Sequence, residues 1–120
     1  MSWEFKNDRP IYTQLLEQIE QKIISGEYEK GSRMPSVREL AAMAAVNPNT
    51  MQRAMSELEN RGLIITNRTA GRVVTEDEGI LTQVRENRAK DFTKDYMSKM
   101  SELKYSKDEI IKLIQKGDKL

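Results

Sequence analysis

Two helix starts stand only eleven residues apart, at Ser36 and Asn47, and this spacing constrains the fold more than any other feature of the chain. Ser36 and Glu39 have the spacing of a capping box, in which each side chain bonds the other residue's backbone amide. Asn47 followed by Pro48 is the second start, because asparagine caps helices well and proline is tolerated in a first turn. The sequence therefore predicts a short helix ending near Ala45, a tight connector and a second helix.

The residues before these starts predict another helix. Asp8 is a candidate N-cap, Pro10 suits the first turn, and Gly26 is a plausible stop. Between them, apolar residues recur at helical spacing. They are Ile11, Leu15, Leu16, Ile19, Ile23 and Ile24.

The helix that begins at Asn47 is predicted to run to about Arg61 and to stop at Gly62. Its apolar positions, Met51, Ala54, Met55 and Leu58, fall on one stripe. Residues 63–66 and 72–75 are short β-branched runs, and the segment between them has the length and composition of a hairpin loop. After Glu76 the pattern predicts a helix to about Leu103, and a second capping box at Ser106 begins a last helix before Gly117.

The composition excludes several classes of function. The chain contains no Cys and no His, which excludes thiolate or imidazole metal sites, cysteine nucleophiles and Ser-His-Asp triads, and we expect neither metal nor cofactor. No apolar run approaches the roughly 18 residues of a membrane span. The first residues also lack the pattern of a secretory signal. We therefore expect a cytoplasmic protein without a membrane partner.

Charge is distributed unevenly, although the formal net charge is only +1. Residues 1–29 carry three basic residues against six acidic ones, whereas residues 30–75 carry seven basic residues against three acidic ones. Six of those seven are arginine, whose guanidinium suits bidentate contacts with phosphates and guanine edges. Because a local field attracts a polyanion even when the net charge is small, the middle of the chain is the candidate nucleic-acid-binding region.

Two helices broken by a tight connector and followed by a hairpin with a cationic tip are the outline of a winged helix-turn-helix. Residues 33–41, 46–55 and 58–64, with residues 10–15 in the first helix, resemble the GntR family of bacterial transcription regulators. The short C-terminal part is most similar to the YtrA subfamily. The hairpin departs from the family by keeping one glycine where Gly-x-Gly and an aromatic are common. The resemblance implies an α+β fold: a winged helix-turn-helix followed by two helices.

The resemblance implies DNA contacts from three segments. Arg38 would reach a phosphate or a base edge from the start of the second helix, and Ser36 would add a hydroxyl contact to phosphate. Side chains in the first turns of the third helix would face the major groove, where Asn and Gln pair with adenine and Arg with guanine. Arg53 has two further interpretations, a phosphate contact or a brace for the fold. The candidate DNA-binding residues are Ser36, Arg38, Asn47, Asn49, Thr50, Gln52, Arg53, Arg68, Thr69, Gly71 and Arg72.

The resemblance also implies a homodimer that represses transcription from a palindromic operator in double-stranded DNA, in this subfamily at a transporter operon. One winged domain covers a short site, so two half-sites are usual, and the long C-terminal helix has an apolar face with few partners in so small a chain. Residues 1–75 are predicted to be the DNA-binding domain and residues 76–120 a helical dimerisation region. No small-molecule effector is identified by the sequence. The candidate dimerisation residues are Ile80, Leu81, Val84, Phe92, Tyr96 and Met100.

Two other function classes stay open. In the first, the winged helix is a protein-protein interaction module and the C-terminal helices are a scaffold. In the second, the chain is an enzyme that uses paired carboxylates such as Asp77 and Glu78 as acid and base, although neighbours on a helix point to different sides and acidic residues favour helix N-termini for electrostatic reasons. Only the DNA-binding interpretation requires the arginines of the helices and the hairpin to share one face.

Overall fold

The structure is a computed structural model that describes residues 3–117. Along these residues, five helices and a two-stranded antiparallel sheet follow one another: α1 (Ile11–Ile24), α2 (Val37–Ala44), α3 (Pro48–Asn60), β1 (Ile64–Asn67), β2 (Gly71–Val74), α4 (Glu78–Glu102) and α5 (Lys107–Gln115). The predicted winged helix-turn-helix followed by two helices is confirmed. Contacts divide the chain into two compact units, and the division in the sequence lies between Val84 and Arg85.

Helix α1 begins after Pro10 and not after a cap at Asp8. Pro10 is the N-cap residue, with φ −56° and ψ 141°, and no described side chain caps the helix. The predicted cap is wrong, because Pro10 already has the extended backbone of a cap position and Asp8 lies in the turn before it. Gln14 holds that turn instead. Its side-chain nitrogen donates to the C=O groups of Lys6 and Arg9, both at 2.8 Å, and its oxygen accepts from the Lys6 N–H at 2.7 Å.

Both predicted helix starts in the middle of the chain are confirmed. Ser36 Oγ accepts from the Glu39 amide at 3.1 Å, and Glu39 Oε1 accepts from the Ser36 amide at 3.2 Å, which completes the capping box of α2. Asn47 Oδ1 accepts from the Asn49 amide at 2.7 Å at the start of α3. Helix α2 stops at Ala45, whose left-handed backbone (φ 56°) turns the chain sharply toward α3.

The core of the first unit holds α1, α2, α3 and the hairpin together. The largest fully buried apolar side chains are Leu15, Ile19, Leu40, Met51, Met55, Leu58, Leu63, Ile64 and Val74. Burying a side chain of this size contributes about 1.5–3 kcal/mol, so this core fixes α2 and α3 relative to each other. Ile80, Leu81 and Val84 of α4 are partly buried against the same core. The predicted functional division at residue 75 stays a prediction.

The hairpin is confirmed, with its strands shifted by one residue from those predicted. Ile64 pairs with Val74 and Asn67 pairs with Gly71. The connector before α2, residues 25–36, adds backbone hydrogen bonds along β2. The Gly31 N–H donates to the Val74 C=O at 2.9 Å, and the Val74 N–H donates to the Ser32 C=O at 2.9 Å. The wing is therefore tied to the connector that leads into α2.

Two glycines that follow helix ends give a matched test of packing against α4. Gly26 after α1 and Gly62 after α3 are both left-handed, with φ 83° and 80°. A Cβ at Gly62 would lie 2.9 Å from Ile80 Cδ1, whereas nothing lies within 4 Å of a Cβ at Gly26. We expect Gly26→Ala to lower the free energy of unfolding by about 1–2 kcal/mol through backbone strain and Gly62→Ala to lower it further, as measured by urea denaturation. Adding Ile80→Val to Gly62→Ala should recover part of the difference, and equal losses for the two alanine variants would contradict the close contact.

The second unit contains the rest of α4 and α5. The predicted capping box of α5 is confirmed: Ser106 Oγ accepts from the Glu109 amide at 3.2 Å, and Glu109 Oε1 accepts from the Ser106 amide at 2.9 Å. Met100 and Ile110 are buried. Several large apolar side chains are exposed in this unit, namely Phe92, Tyr96, Leu103, Tyr105, Ile111 and Ile114. Within residues 3–117, no helix combines the length and the apolarity needed to cross a membrane.

Candidate nucleic-acid interface

The candidate DNA-binding residues of α2 and α3 lie at the surface. Thr50 is half-buried, and the exposed ones are Ser36, Arg38, Asn47, Asn49, Gln52 and Arg53. Two of these side chains also serve the fold, because the oxygens of Ser36 and Asn47 cap helix N-termini. Capping uses only acceptor oxygens, so the Ser36 hydroxyl hydrogen and the Asn47 amide hydrogens stay able to donate to a phosphate or a base.

Arg53 is braced by an aromatic ring of α1. Its guanidinium carbon lies 4.4 Å from the centroid of the Tyr12 ring, a distance at which cation-π attraction is effective. This contact restricts the guanidinium while its N–H groups can still donate. The bracing role proposed as an alternative for Arg53 thus has a structural basis, and Tyr12 was not among the predicted site residues.

The loop of the wing, residues 68–70, is organised by Asn67. Asn67 Oδ1 accepts hydrogen bonds from the amide and the hydroxyl of Thr69, both at 2.9 Å, and from the Ala70 amide at 3.2 Å. Arg68 and Thr69 are exposed. Gly71 has φ 81°, and nothing lies within 4 Å of a Cβ at this position. A backbone or phosphate could therefore approach Gly71 closely. Asn67 was not among the predicted site residues, although an Asn before a loop is a common turn signal.

Arg72 forms an ion pair within its own chain. Its Nε donates to a carboxylate oxygen of Glu59, at the end of α3, and the Thr66 hydroxyl donates to the other oxygen at 3.0 Å. Partial burial raises the pKa of the Glu59 carboxyl, but the hydrogen bonds from Arg72 and Thr66 and the arginine charge outweigh it, so the pKa lies below its ordinary value. Glu59 thus ties both strands of the wing to α3, and Arg72 is half-buried beside it.

Ion pairs divide the basic residues of this region into two groups. Arg61 donates to Glu20 at 2.6 Å and to Glu57 at 2.8 Å, Lys30 pairs with Glu78, and Arg72 pairs with Glu59. Arg33, Arg38, Arg53 and Arg68 are exposed and have no ion pair within the part of the chain that the structure describes, and Arg53 lies against the Tyr12 ring. These four guanidinium groups can therefore approach an anion without first leaving a carboxylate.

The candidate dimerisation residues fall into two sets. Ile80, Leu81 and Val84 pack in part on the core of the first unit, and Met100 is buried. Phe92 and Tyr96 are exposed to 61% and 37%. The side chains of α5 were not predicted for this role, yet Ile111 and Ile114 are also exposed. The isoleucines of that helix were the sequence pattern from which they could have been proposed. Within the described residues, no group of acidic side chains has the arrangement of a metal site.

Comparisons with known proteins agree with this geometry. The model of the family described as bacterial regulatory proteins, gntR family, matches residues 11–74, which contain every candidate DNA-binding residue. The uncharacterized HTH-type transcriptional regulator YhcF of Bacillus subtilis is 33% identical over 115 residues, which cover 96% of this chain and 95% of YhcF. The HTH-type transcriptional repressor YtrA of Bacillus subtilis is 37% identical over 87 residues, which cover 68% of this chain and 67% of YtrA.

Among solved structures, a GntR family transcriptional regulator from Listeria monocytogenes matches with a TM-score of 0.84 and 41% sequence identity. The match covers 93% of this chain and 98% of that one. The family and the relatives are transcriptional regulators and not enzymes, so the expectation that the chain is not an enzyme is confirmed and the carboxylate-enzyme alternative is removed.

Proposed function

The chain belongs to the gntR family of bacterial regulatory proteins, whose members bind operator DNA, and on that premise we propose that it represses transcription as a homodimer on a palindromic operator. The proposal rests on the division of the arginines into those that are paired with a carboxylate and those that are not. Arg61 and Arg72 are paired with carboxylates, whereas Arg38 at the start of α2 and Arg68 in the wing loop are exposed without an acidic partner in residues 3–117. Free arginines on a helix-turn-helix and its wing are suited to a duplex.

Repression is supported by similarity to YtrA, which is named as a repressor and is 37% identical over 87 residues. The physical effect needs no effector domain, because a protein bound at a promoter excludes other proteins from the same DNA. The resemblance to the YtrA subfamily further suggests that the regulated genes encode a transporter, and that the protein acts in the cytoplasm where the chromosome lies.

A homodimer is supported by the apolar side chains that the second unit leaves exposed. Phe92 of α4 is 61% exposed, Leu103 in the turn after α4 is 66% exposed, and Ile114 of α5 is 62% exposed. Apolar side chains grouped at a surface mark an interaction site. A second copy of the chain presents the same apolar side chains, and pairing two winged domains doubles the number of base pairs that are contacted.

The test is binding of the full chain to a duplex taken from just upstream of its own gene, compared with a random duplex of equal length, by fluorescence anisotropy at several salt concentrations. We expect tighter binding to the upstream duplex, two protomers per duplex by sedimentation, and an affinity that falls steeply with salt as counterions are released. Binding of one protomer per duplex would contradict the homodimer. Folded protein with no preference between the duplexes, and weak salt dependence, would favour the protein-interaction alternative.

A further inference from the structure

A basic residue outside the predicted interface is held rigidly at the edge of the wing. Arg33 lies in the connector before α2 and forms an isolated backbone bridge with Val73 of β2. The next residue, Met34, donates its N–H to the Arg72 C=O at 2.8 Å and is buried to 3% exposure. The backbone of Arg33 is therefore held by the sheet on one side and by the core on the other. When its side chain binds a ligand, little backbone conformational entropy remains to be lost.

The guanidinium of Arg33 lies near the first turn of α2. Hydrogen bonds with Ser36 are the main reason why the pKa of the Glu39 carboxyl is lowered, and the charge of Arg33 lowers it further. Glu39 Oε1 accepts from the Ser36 amide, and no ion pair joins Glu39 to Arg33 within residues 3–117. Arg33 is thus a cation beside the helix-turn-helix whose N–H donors remain unused.

A groove of about 340 Å³ separates the start of α2 from the wing. Arg33 and Ser36 line it on the connector side, and Ala70, Gly71 and Arg72 line it on the wing side. None of the described residues that line this groove is acidic. Its walls combine a free guanidinium, a hydroxyl group and the open backbone of Gly71, which together suit a small anion.

We propose that this groove binds one backbone phosphate of the operator and that Arg33 is the principal residue that holds it, with the Ser36 hydroxyl as a second donor. The inference rests on the proposed DNA-binding function and adds to it an anchor that joins α2 and the wing to the same DNA strand. A phosphate is favoured over a base because Arg33 belongs to the edge of the wing sheet and not to α3, the helix that would enter the major groove.

The test compares Arg33→Gln, Arg33→Lys and Lys107→Gln in the full chain, on both duplexes and over a range of salt concentrations. Lys107→Gln is the charge-matched control, because it removes one exposed charge at the start of α5. Arg33→Gln should weaken binding to both duplexes at low salt by about tenfold for each half-site, and so by about 100-fold for a homodimer, because it removes a charge-assisted hydrogen bond from each protomer. The slope of log affinity against log salt should become shallower by about 0.9 for each phosphate that the protein no longer neutralises. Arg33→Lys should keep most of the affinity, and Lys107→Gln should match the wild type.

Each other outcome overturns the inference in a distinguishable way. An Arg33→Gln protein with the affinity and salt slope of the wild type would overturn the phosphate site and leave the DNA-binding function intact. A loss confined to the upstream duplex would assign Arg33 to a base. If Arg33→Gln and Arg33→Lys reduced affinity equally and both unfolded at lower temperature, Arg33 would have only a structural role. Failure of the wild type to bind either duplex would overturn the proposed function itself.

Discussion

Arg38→Ala is expected to weaken binding to the upstream duplex by roughly 30-fold to more than 10⁴-fold. Arg38 is exposed at the second residue of α2, and no carboxylate in residues 3–117 pairs with it. Its guanidinium therefore enters the complex without breaking an ion pair. One arginine contact is worth roughly 1–3 kcal/mol, and a homodimer makes it twice, which gives about 2–6 kcal/mol and the range above.

The measurement is anisotropy on the upstream and random duplexes, with Arg38→Lys and Arg61→Ala beside Arg38→Ala. A loss on both duplexes that lysine largely restores would assign Arg38 to a phosphate, and a loss confined to the upstream duplex would assign it to a base edge. Arg61 is paired with Glu20 and Glu57, so Arg61→Ala should lower stability and leave the affinity of the folded protein nearly unchanged. Wild-type affinity in Arg38→Ala would contradict the proposed interface.

Helix ends and apolar stripes could be predicted from the sequence because they depend on neighbouring residues. The capping boxes at Ser36 and Ser106 each need only a partner three residues away, and both form. The buried stripe of α3 follows from helical periodicity alone. The cap at Asp8 is wrong for a reason that is also local: Pro10, which was predicted in the first turn, is itself the N-cap residue, and Asp8 lies in the turn before it.

Interactions between distant residues could not be predicted in the same way. Glu59 binds Arg72 thirteen residues further along the chain, and Arg61 binds Glu20 at a separation of 41 residues. Both pairings depend on how α3 packs against the wing and α1. The total charge of residues 30–75 therefore indicated a basic region, but only the structure shows which arginines are already paired. The pairing of Arg33, in the connector before α2, with β2 could not be predicted for the same reason.

Phe92→Asp is expected to convert the proposed homodimer into monomers and to reduce affinity for the upstream duplex by more than about 100-fold, because a monomer binds through one half-site only. Phe92 and Tyr96 are exposed and fall within about 40° of each other around α4 at 3.6 residues per turn. In a symmetric interface, one substitution places two like charges in an apolar seam, where each loses part of its hydration. Ile80, Leu81 and Val84 offer less free surface, since they pack partly on the first unit.

The control is Ser98→Asp, which adds the same charge at an exposed position of α4 about 120° around the helix from Phe92. Sedimentation equilibrium should show a dimer for Ser98→Asp and a monomer for Phe92→Asp, with circular dichroism confirming that both are folded. The two readouts are linked: if dimerisation is what raises affinity, joining two Phe92→Asp chains by a flexible linker should restore much of the binding. A Phe92→Asp protein that stays dimeric with wild-type affinity would remove this face of α4 from the interface and shift the same test to Ile114 of α5.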